Sequence, residues 1–331
     1  MNNPGLNRGI EIAGFLAQSG WDDADQSPFH ADFSTRRYAR LRRSDGATAI
    51  LMDADADQKT VEFVQVAKLL RGLSLSAPEV FAADPFHGLV LMEDFGRDNF
   101  GRLLDSGVDP KPLYKRAVDV LVKLHKDFNG FDKSVLDLPC FGGALFAAQV
   151  ELFLDIYFPY AQGRDATHAE GEGFRAAWKQ ALKNIEALPQ SLLLRDYMPD
   201  NLMDLKGREG AQSVGLLDFQ DGGLGPSAYD LASLCEAVRR DADPALLDEM
   251  IAYYHQQAKP TLSLTELTTA CHILSAQRHM RILGILVRVA NATGQREKLN
   301  YMPRIWEYLH FLMQDEALKS VREWLSCCLN S

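Results

Sequence analysis

Residues 195–201 read Arg195-Asp196-Tyr197-Met198-Pro199-Asp200-Asn201, and residues 215–220 read Gly215-Leu216-Leu217-Asp218-Phe219-Gln220. Asp196 and Asn201 stand five residues apart, and Asp218 closes the short apolar run Val214-Gly215-Leu216-Leu217. Core packing explains a carboxylate there poorly, because burying an unpaired charge is unfavourable. The three side chains offer hard oxygen donors, which suit magnesium. Their layout is that of a phosphoryl-transfer site. One carboxylate orients and deprotonates an acceptor hydroxyl, while an amide and a second carboxylate hold the metal against a triphosphate. The D-x-x-x-x-N spacing is a weak signal alone, and the downstream L-L-D-F makes it specific.

The wider segments RDYMPDNLM and LLDFQDGGLGPSAYDLASL resemble the aminoglycoside phosphotransferase and choline kinase superfamily. Within it they are similar to the bacterial amino-sugar kinases, which phosphorylate N-acetylmuramate and N-acetylglucosamine at the anomeric hydroxyl. The likeness extends to Phe33-Ser34-Thr35-Arg36-Arg37-Tyr38, Leu91-Met92-Glu93-Asp94-Phe95-Gly96, Leu124-His125 and Ala276-Gln277-Arg278-His279-Met280-Arg281-Ile282-Leu283-Gly284. It implies an α+β, protein-kinase-like, two-lobed fold, with a small β-rich lobe over 1–94 and a larger, mostly helical lobe over 95–331. It also implies an ATP- and Mg2+-dependent kinase acting on a small-molecule hydroxyl. Asp196 is then the catalytic base, and Asn201 and Asp218 hold the metal. Ser34, Arg36, Arg37, Ile50, Met92, Glu93 and Phe95 surround the nucleotide. Asp230 bonds backbone groups of the catalytic loop. Two alternatives stay open: an aminoglycoside- or choline-type phosphotransferase, and a nucleotide-binding pseudokinase.

Composition is compatible with this reading. A chain of 331 residues, 47% hydrophobic and 24% charged, suits a globular protein with more than one core. A net charge of -10 argues against a general nucleic-acid binder. The 5 cysteines follow neither disulfide nor zinc spacing. The opening MNNPGLNRGIEIAGF lacks a basic start and an unbroken apolar core. No apolar run approaches the ~18 residues of a membrane span. A cytoplasmic enzyme is expected, with ATP and a small hydroxyl compound as partners and neither nucleic acid nor membrane.

Periodicity supplies the elements. Residues 7–20 read as an amphipathic helix. Two or three strands run from Phe29 to Met52, with Ser44-Asp45-Gly46 as a hairpin turn. Phe63, Val66, Ala67 and Leu70 give 60–70 one apolar stripe. Further strands fall at 78–83 and 88–92, with Glu93–Gly96 as a hinge. Helices are expected over 111–128, 144–157, 174–187, 227 onward, 245–258, 264–292 and 303–329, and short strands around 192–194, 202–205 and 214–217. Residues 161–173 (AQGRDATHAEGEG) read as a mobile loop. His125, among Leu121, Leu124 and Phe128, reads as buried support and not as a base.

Three features depart from kinase patterns. Leu194 stands where many relatives carry a histidine. Strand Ala49-Ile50-Leu51-Met52-Asp53 has no lysine for the phosphates, so either Arg36, Arg37, Arg40 or Arg42 supplies the cation or ATP is held more weakly. No G-x-G-x-x-G is present, so residues 32–38 must cover the phosphates with hydroxyls, amides and guanidinium groups. Asp221 is either a loop residue or a second acid near the metal. Arg278, Arg281 and Arg288 share one helical face with Ile285. That face is either a solvated basic stripe or the border of an acceptor site, with Arg278 or Arg281 near the sugar.

Overall fold

A computed structural model describes residues 4–29, 36–55, 59–129, 138–235, 238, 240 and 244–329. They divide into two compact units, residues 1–108 with 200–221, and 109–199 with 222–331. This division interleaves the chain, whereas the expected lobes were contiguous, 1–94 and 95–331. The cause is a set of backbone bonds that tie the 200–221 segment to the first unit. Leu216 N–H donates to Ser76 O at 2.7 Å and Asp204 N–H to Asp98 O at 2.8 Å.

The first unit opens with α1 (Pro4–Gln18), followed by β1 (Asp25–Phe29), β2 (Arg37–Arg42) and β3 (Thr48–Asp53). Then come α2 (Thr60–Gly72), β4 (Val80–Asp84), β5 (Leu89–Glu93) and α3 (Phe100–Asp105). The strands form one antiparallel sheet of order β1-β2-β3-β5-β4. The turn between β2 and β3 is the expected one, with Ala47 N–H bonded to Asp45 Oδ1 at 2.9 Å. Strand β1 begins earlier than the sequence suggested and is exposed throughout. Its Pro28 fits an edge position, where a missing N–H breaks no ladder.

Strand alternation gives the sheet two distinct faces. Leu41, Ala49, Leu51, Leu89 and Leu91 pack against Phe15 and Leu16 of α1 and against Trp21. Burial of each leucine or phenylalanine among them stabilises by about 1.5–3 kcal/mol. Ile50, Met52, Val90 and Met92 alternate onto the opposite face, and Ile50 pairs directly with Met92. Two strands complete this unit, β7 (Leu202–Asp204) and β8 (Val214–Leu216), which form an antiparallel hairpin.

The second unit is mostly helical. It holds α4 (Pro110–Phe128), α5 (Gly143–Leu152), α6 (Phe158–Gln162), α7 (His168–Ala181), α8 (Ala228–Cys235), α9 (Pro244–Ala258), α10 (Leu264–Thr293), α11 (Met302–Leu312) and α12 (Lys319–Cys328). Strands β6 (Gln190–Leu193) and β9 (Gly223–Pro226) pair antiparallel. Helix α10 runs for 30 residues and buries Leu267, Leu274, Met280, Leu283 and Val287, among others. It passes so close to α5 that a Cβ on Gly284 would lie 2.3 Å from Leu152 O. A side chain at that position has no room.

Two expectations fail here. Residues 168–173 are helical and not part of a loop. Thr167 caps α7, Glu170 returns a bond to the Thr167 N–H at 2.7 Å, and Arg164 clamps Glu170 at 2.9 and 2.7 Å. This capping box outweighs the glycines. The helix expected over 303–329 is broken after Leu312. At the break Asp315 caps Ala317 N–H at 2.9 Å and reaches Thr269 and His272 of α10, both at 3.1 Å.

Buried histidines link this unit to pH. His125 of α4 pairs through Nδ1 with Tyr254 Oη of α9 at 2.7 Å, and His279 of α10 pairs with Ser275 O at 2.9 Å. Burial pushes both imidazoles down to about 3. An unfolded histidine takes up its proton near 6.5, so unfolding binds protons between about 3 and 6.5. Stability therefore falls as the pH drops through that window. His125→Asn keeps a polar partner for Tyr254 and should reduce this acid-side loss. The check is the change in urea midpoint between about pH 7 and pH 5, expected to be smaller than in the wild type. An equal change would mean that His125 is not a neutral buried group.

Candidate active site

In the second unit, β6 delivers Leu194, Arg195 and Asp196. The carboxylate of Asp230, in the first turn of α8 and fully buried, accepts from Leu194 N–H at 2.6 Å and Arg195 N–H at 2.8 Å. Burial pushes the Asp230 carboxyl up to about 7, against the two N–H bonds, which favour the charged form. Arg195 has φ of 66°, in the left-handed region that costs a side-chain-bearing residue roughly 1 kcal/mol or more. Its carbonyl accepts from Ser233 Oγ at 3.3 Å, and its guanidinium lies 4.6 Å from the centre of the Phe141 ring. Next in the chain, the buried Tyr197 hydroxyl donates to Ala117 O at 2.8 Å. The bend that presents Asp196 is thus held from four sides, and Leu194 needs no histidine to pack there.

Helix α10 brings further cations to this unit. Arg278 is 3% exposed, and its Nη1 has no hydrogen-bond partner among the described residues. Arg281 Nε is likewise buried and unpartnered. Burial pulls the Arg281 guanidinium down, as do the charges of Arg195 and Arg278, while Tyr229 and Asp196 act to raise it. Arg278 and Arg281 are therefore no part of a solvated stripe, unlike the exposed Arg288. His125 takes the supporting place described above.

In the first unit, the β7–β8 hairpin sets the metal-binding candidates side by side. Leu202 pairs with Leu216, and Leu217 N–H donates to Asn201 O at 3.0 Å, so Asn201 lies opposite the residue before Asp218. Asp218 has φ of 59°, also left-handed. Its Oδ1 accepts from Gln220 Nε2 at 2.8 Å. Phe219 stacks on Phe63 of α2, with ring centres 5.0 Å apart. Oxygen donors from an amide and a carboxylate fit magnesium, which binds through one or two carboxylates plus phosphates and water. The buried Gln220 Oε1 has no hydrogen-bond partner among the described residues and adds a further oxygen beside Asp218.

The nucleotide candidates are only partly brought together. Ile50 and Met92 share the sheet face away from α1. Glu93 follows Met92, but its side chain is engaged by Arg208 and by Arg71 at 3.6 Å. Phe95 packs on β8, where a Cβ on Gly215 would lie 2.7 Å from its ring. Arg37 turns to the α1 face. Its Nε meets Asp53 at 2.8 Å, and Arg8 of α1 meets the same carboxylate at 2.5 Å. Burial works to raise the Asp53 carboxyl, yet bonds from Arg37 and Arg8 hold it below the usual range. Arg40 is bidentate to Asp94 at 2.7 and 3.0 Å. Arg36 is buried, and Ser34 lies outside the described residues.

Two residues escaped the sequence reading. One is Gln220, which bonds Asp218. The other is Lys59, whose Nζ lies 2.5 Å from Asp221 Oδ1. A lysine at a helix start runs against the helix dipole, and that conflict was the available signal.

Residues 25–264 match a family model described as a phosphotransferase enzyme family. This chain belongs to that family. It is a phosphotransferase with an alcohol group as acceptor. It is 31% identical to an N-acetylmuramate/N-acetylglucosamine kinase of Caulobacter vibrioides, over 94% of each chain. It is 30% identical to a protein of the same description from Pseudomonas aeruginosa, over 89% of this chain and 86% of the other. Among solved structures it is similar to the GDP complex of aminoglycoside 2'-phosphotransferase-IIIa, at a TM-score of 0.62 and 13% identity, over 92% and 98% of the two chains. The phosphotransferase thus has the α+β, kinase-like two-lobed fold, β-rich in its N-terminal part and mostly helical in its larger C-terminal part.

Asp230→Asn tests the hold on the catalytic loop. The new amide turns an N–H group towards one of two N–H donors, leaving a buried donor unsatisfied, at a cost of about 1–3 kcal/mol. A lower Tm and a fall in turnover of about tenfold or more are expected. Wild-type values for both would show that the loop keeps its bend without Asp230.

Proposed function

We propose that this phosphotransferase moves the γ-phosphate of ATP, with magnesium, to the anomeric hydroxyl of an N-acetylated amino sugar, N-acetylmuramate foremost. The observation that carries the acceptor is a pair of buried guanidinium nitrogens, Arg278 Nη1 and Arg281 Nε, with no partner among the described residues, in the unit that holds Asp196. Buried polar groups without partners are costly, and charged ones more so. A carboxylate on the acceptor would relieve that cost with charge-assisted bonds. A polycationic aminoglycoside, or choline, would meet the like charges of Arg195, Arg278 and Arg281. The relatives described as N-acetylmuramate/N-acetylglucosamine kinases support the same choice.

In this reading Asp196 accepts a hydrogen bond from the acceptor hydroxyl, orients it and takes its proton as the new P–O bond forms. Asn201 and Asp218 hold magnesium, which neutralises phosphate charge when bound. Adenine lies against the backbone of Glu93–Phe95, over Ile50 and Met92. Arg36 contacts the phosphates. Arg37 contributes only by leaving Asp53. The intact Asp196, Asn201 and Asp218 set opposes the pseudokinase alternative.

Asp196→Asn should bind ATP nearly as the wild type does, yet lose on the order of 10²-fold or more in kcat. A loss under about tenfold would remove Asp196 from the role of base.

The acceptor is tested by phosphate transfer to N-acetylmuramate, N-acetylglucosamine, kanamycin and choline. Transfer to the N-acetylated sugars is expected. Efficient transfer to kanamycin with none to either sugar would overturn the choice. Arg281→Ala should raise KM for N-acetylmuramate by about tenfold, the equivalent of one charge-assisted bond, while KM for N-acetylglucosamine, which lacks the carboxylate, changes little. Equal changes for both sugars would refute the carboxylate contact.

A further inference from the structure

Strand β3 carries no lysine, and two of the four arginines near it are engaged elsewhere. Arg37 bonds Asp53 on the α1 face, and Arg40 bonds Asp94. Another cation of this unit reaches the segment that begins at Asp218. Lys59 precedes the first residue of α2, and its Nζ meets Asp221 Oδ1 at 2.5 Å. Gln220 Nε2 lies 3.5 Å from Asp221 Oδ2 and 2.8 Å from Asp218 Oδ1. Lys59, Asp221, Gln220 and Asp218 therefore form one polar chain that ends at the carboxylate assigned to magnesium.

Local physics singles out Lys59. It occupies the N-cap of α2 with φ of 55° and ψ of 40°, and its side chain makes no cap bond. Left-handed backbone is unfavourable for lysine, and a positive charge opposes the N-terminal end of the helix dipole. That combination suits an anion, because the free N–H groups of a helix start and an ammonium both attract one. Phe63 lies one turn further along the same helix face and stacks on Phe219, so Lys59 and Phe63 meet the 218–221 segment together. A second sign of a missing ligand lies beside it. Gln220 is 7% exposed, and its Oε1 has no hydrogen-bond partner among the described residues.

We propose that Lys59 is a cation that binds the nucleotide's phosphates beside Arg36, supplied from the start of α2 in place of a strand lysine. Asp221 holds its ammonium at the site when no nucleotide is bound, and the ammonium turns to the phosphate oxygens when one arrives. No covalent bond changes in this step. The pair is half-exposed, at 47% for the Lys59 side chain and 35% for Asp221, so as a mere surface ion pair it would contribute little to stability. Its role is in binding.

This inference rests on the nucleotide reading proposed above, and the experiment separates the two. Calorimetric titration of the full chain with MgATP and with adenosine compares wild type, Lys59→Met and Lys59→Arg. Lys59→Met should weaken MgATP by about tenfold or more, leave adenosine within about twofold and leave Tm unchanged. Lys59→Arg, which keeps the charge, should recover most of the loss. MgATP affinity of Lys59→Met within about twofold of the wild type would overturn the proposal, as would a parallel loss of adenosine, which carries no phosphate. A wild-type chain that bound neither ligand would refute the nucleotide reading itself, and this inference with it.

Discussion

The buried carboxylate of Asp230 governs the geometry of the segment that carries Asp196. Its two oxygens receive the N–H groups of Leu194 and Arg195 at 2.6 and 2.8 Å. Those bonds fix Arg195 in a backbone conformation that it would not choose alone. Asp196 follows that residue directly, so its direction is inherited from Asp230. The carboxylate is itself fixed, because it belongs to α8, whose residues are all buried. Strain at the loop is thus held by a helix that the core immobilises.

The first unit solves a comparable problem with a hairpin. The pairing of β7 with β8 sets Asn201 opposite Leu217, and the left-handed turn at Asp218 changes the chain direction there. Phe219 on Phe63 then anchors the segment to α2. Around it, carboxylates hold most of the cations in place. Asp53 takes Arg8 and Arg37, Asp94 takes Arg40, and Glu93 takes Arg208. Such pairs tie the sheet to the α1 helix and to the segment after β5, and they engage those arginines. Lys59 differs because its partner lies three residues from Asp218.

Helix α10 shows the reverse condition. Arg278 and Arg281 are buried beside other positive charge, and each has an atom left without a partner among the described residues. Like charges gathered in a partly desolvated site are unfavourable unless something compensates them. The presence of Asp196 in the same electrostatic neighbourhood joins that cost to the proposed reaction centre.

Much of the chemistry was legible in the sequence. Oxygen donors at the spacing of Asp196, Asn201 and Asp218 specify a reaction class, because phosphoryl transfer needs those groups whatever holds them. Hydrophobic periodicity placed α2, α4 and α10, since a stripe recurring every three or four residues has one stable use. Local pattern was weaker where competing signals coincide. Glycines concealed the start of α7, although Thr167 and Glu170 already spelled the capping box. The break between α11 and α12 left only Asp315 as a cue. What no local pattern contains is the partner of each charge. Whether Arg37 faces a phosphate or Asp53 depends on which sheet face α1 covers. Whether Arg278 is solvated depends on how α10 packs. Whether Lys59 reaches Asp221 depends on the approach of α2 to a segment more than one hundred and fifty residues away. The sequence by itself determined the reaction class and proposed the groups for it, because chemistry fixes their types and spacing. The tertiary structure alone decided which cations remain to serve them, because burial and pairing are set by contacts between distant parts of the chain.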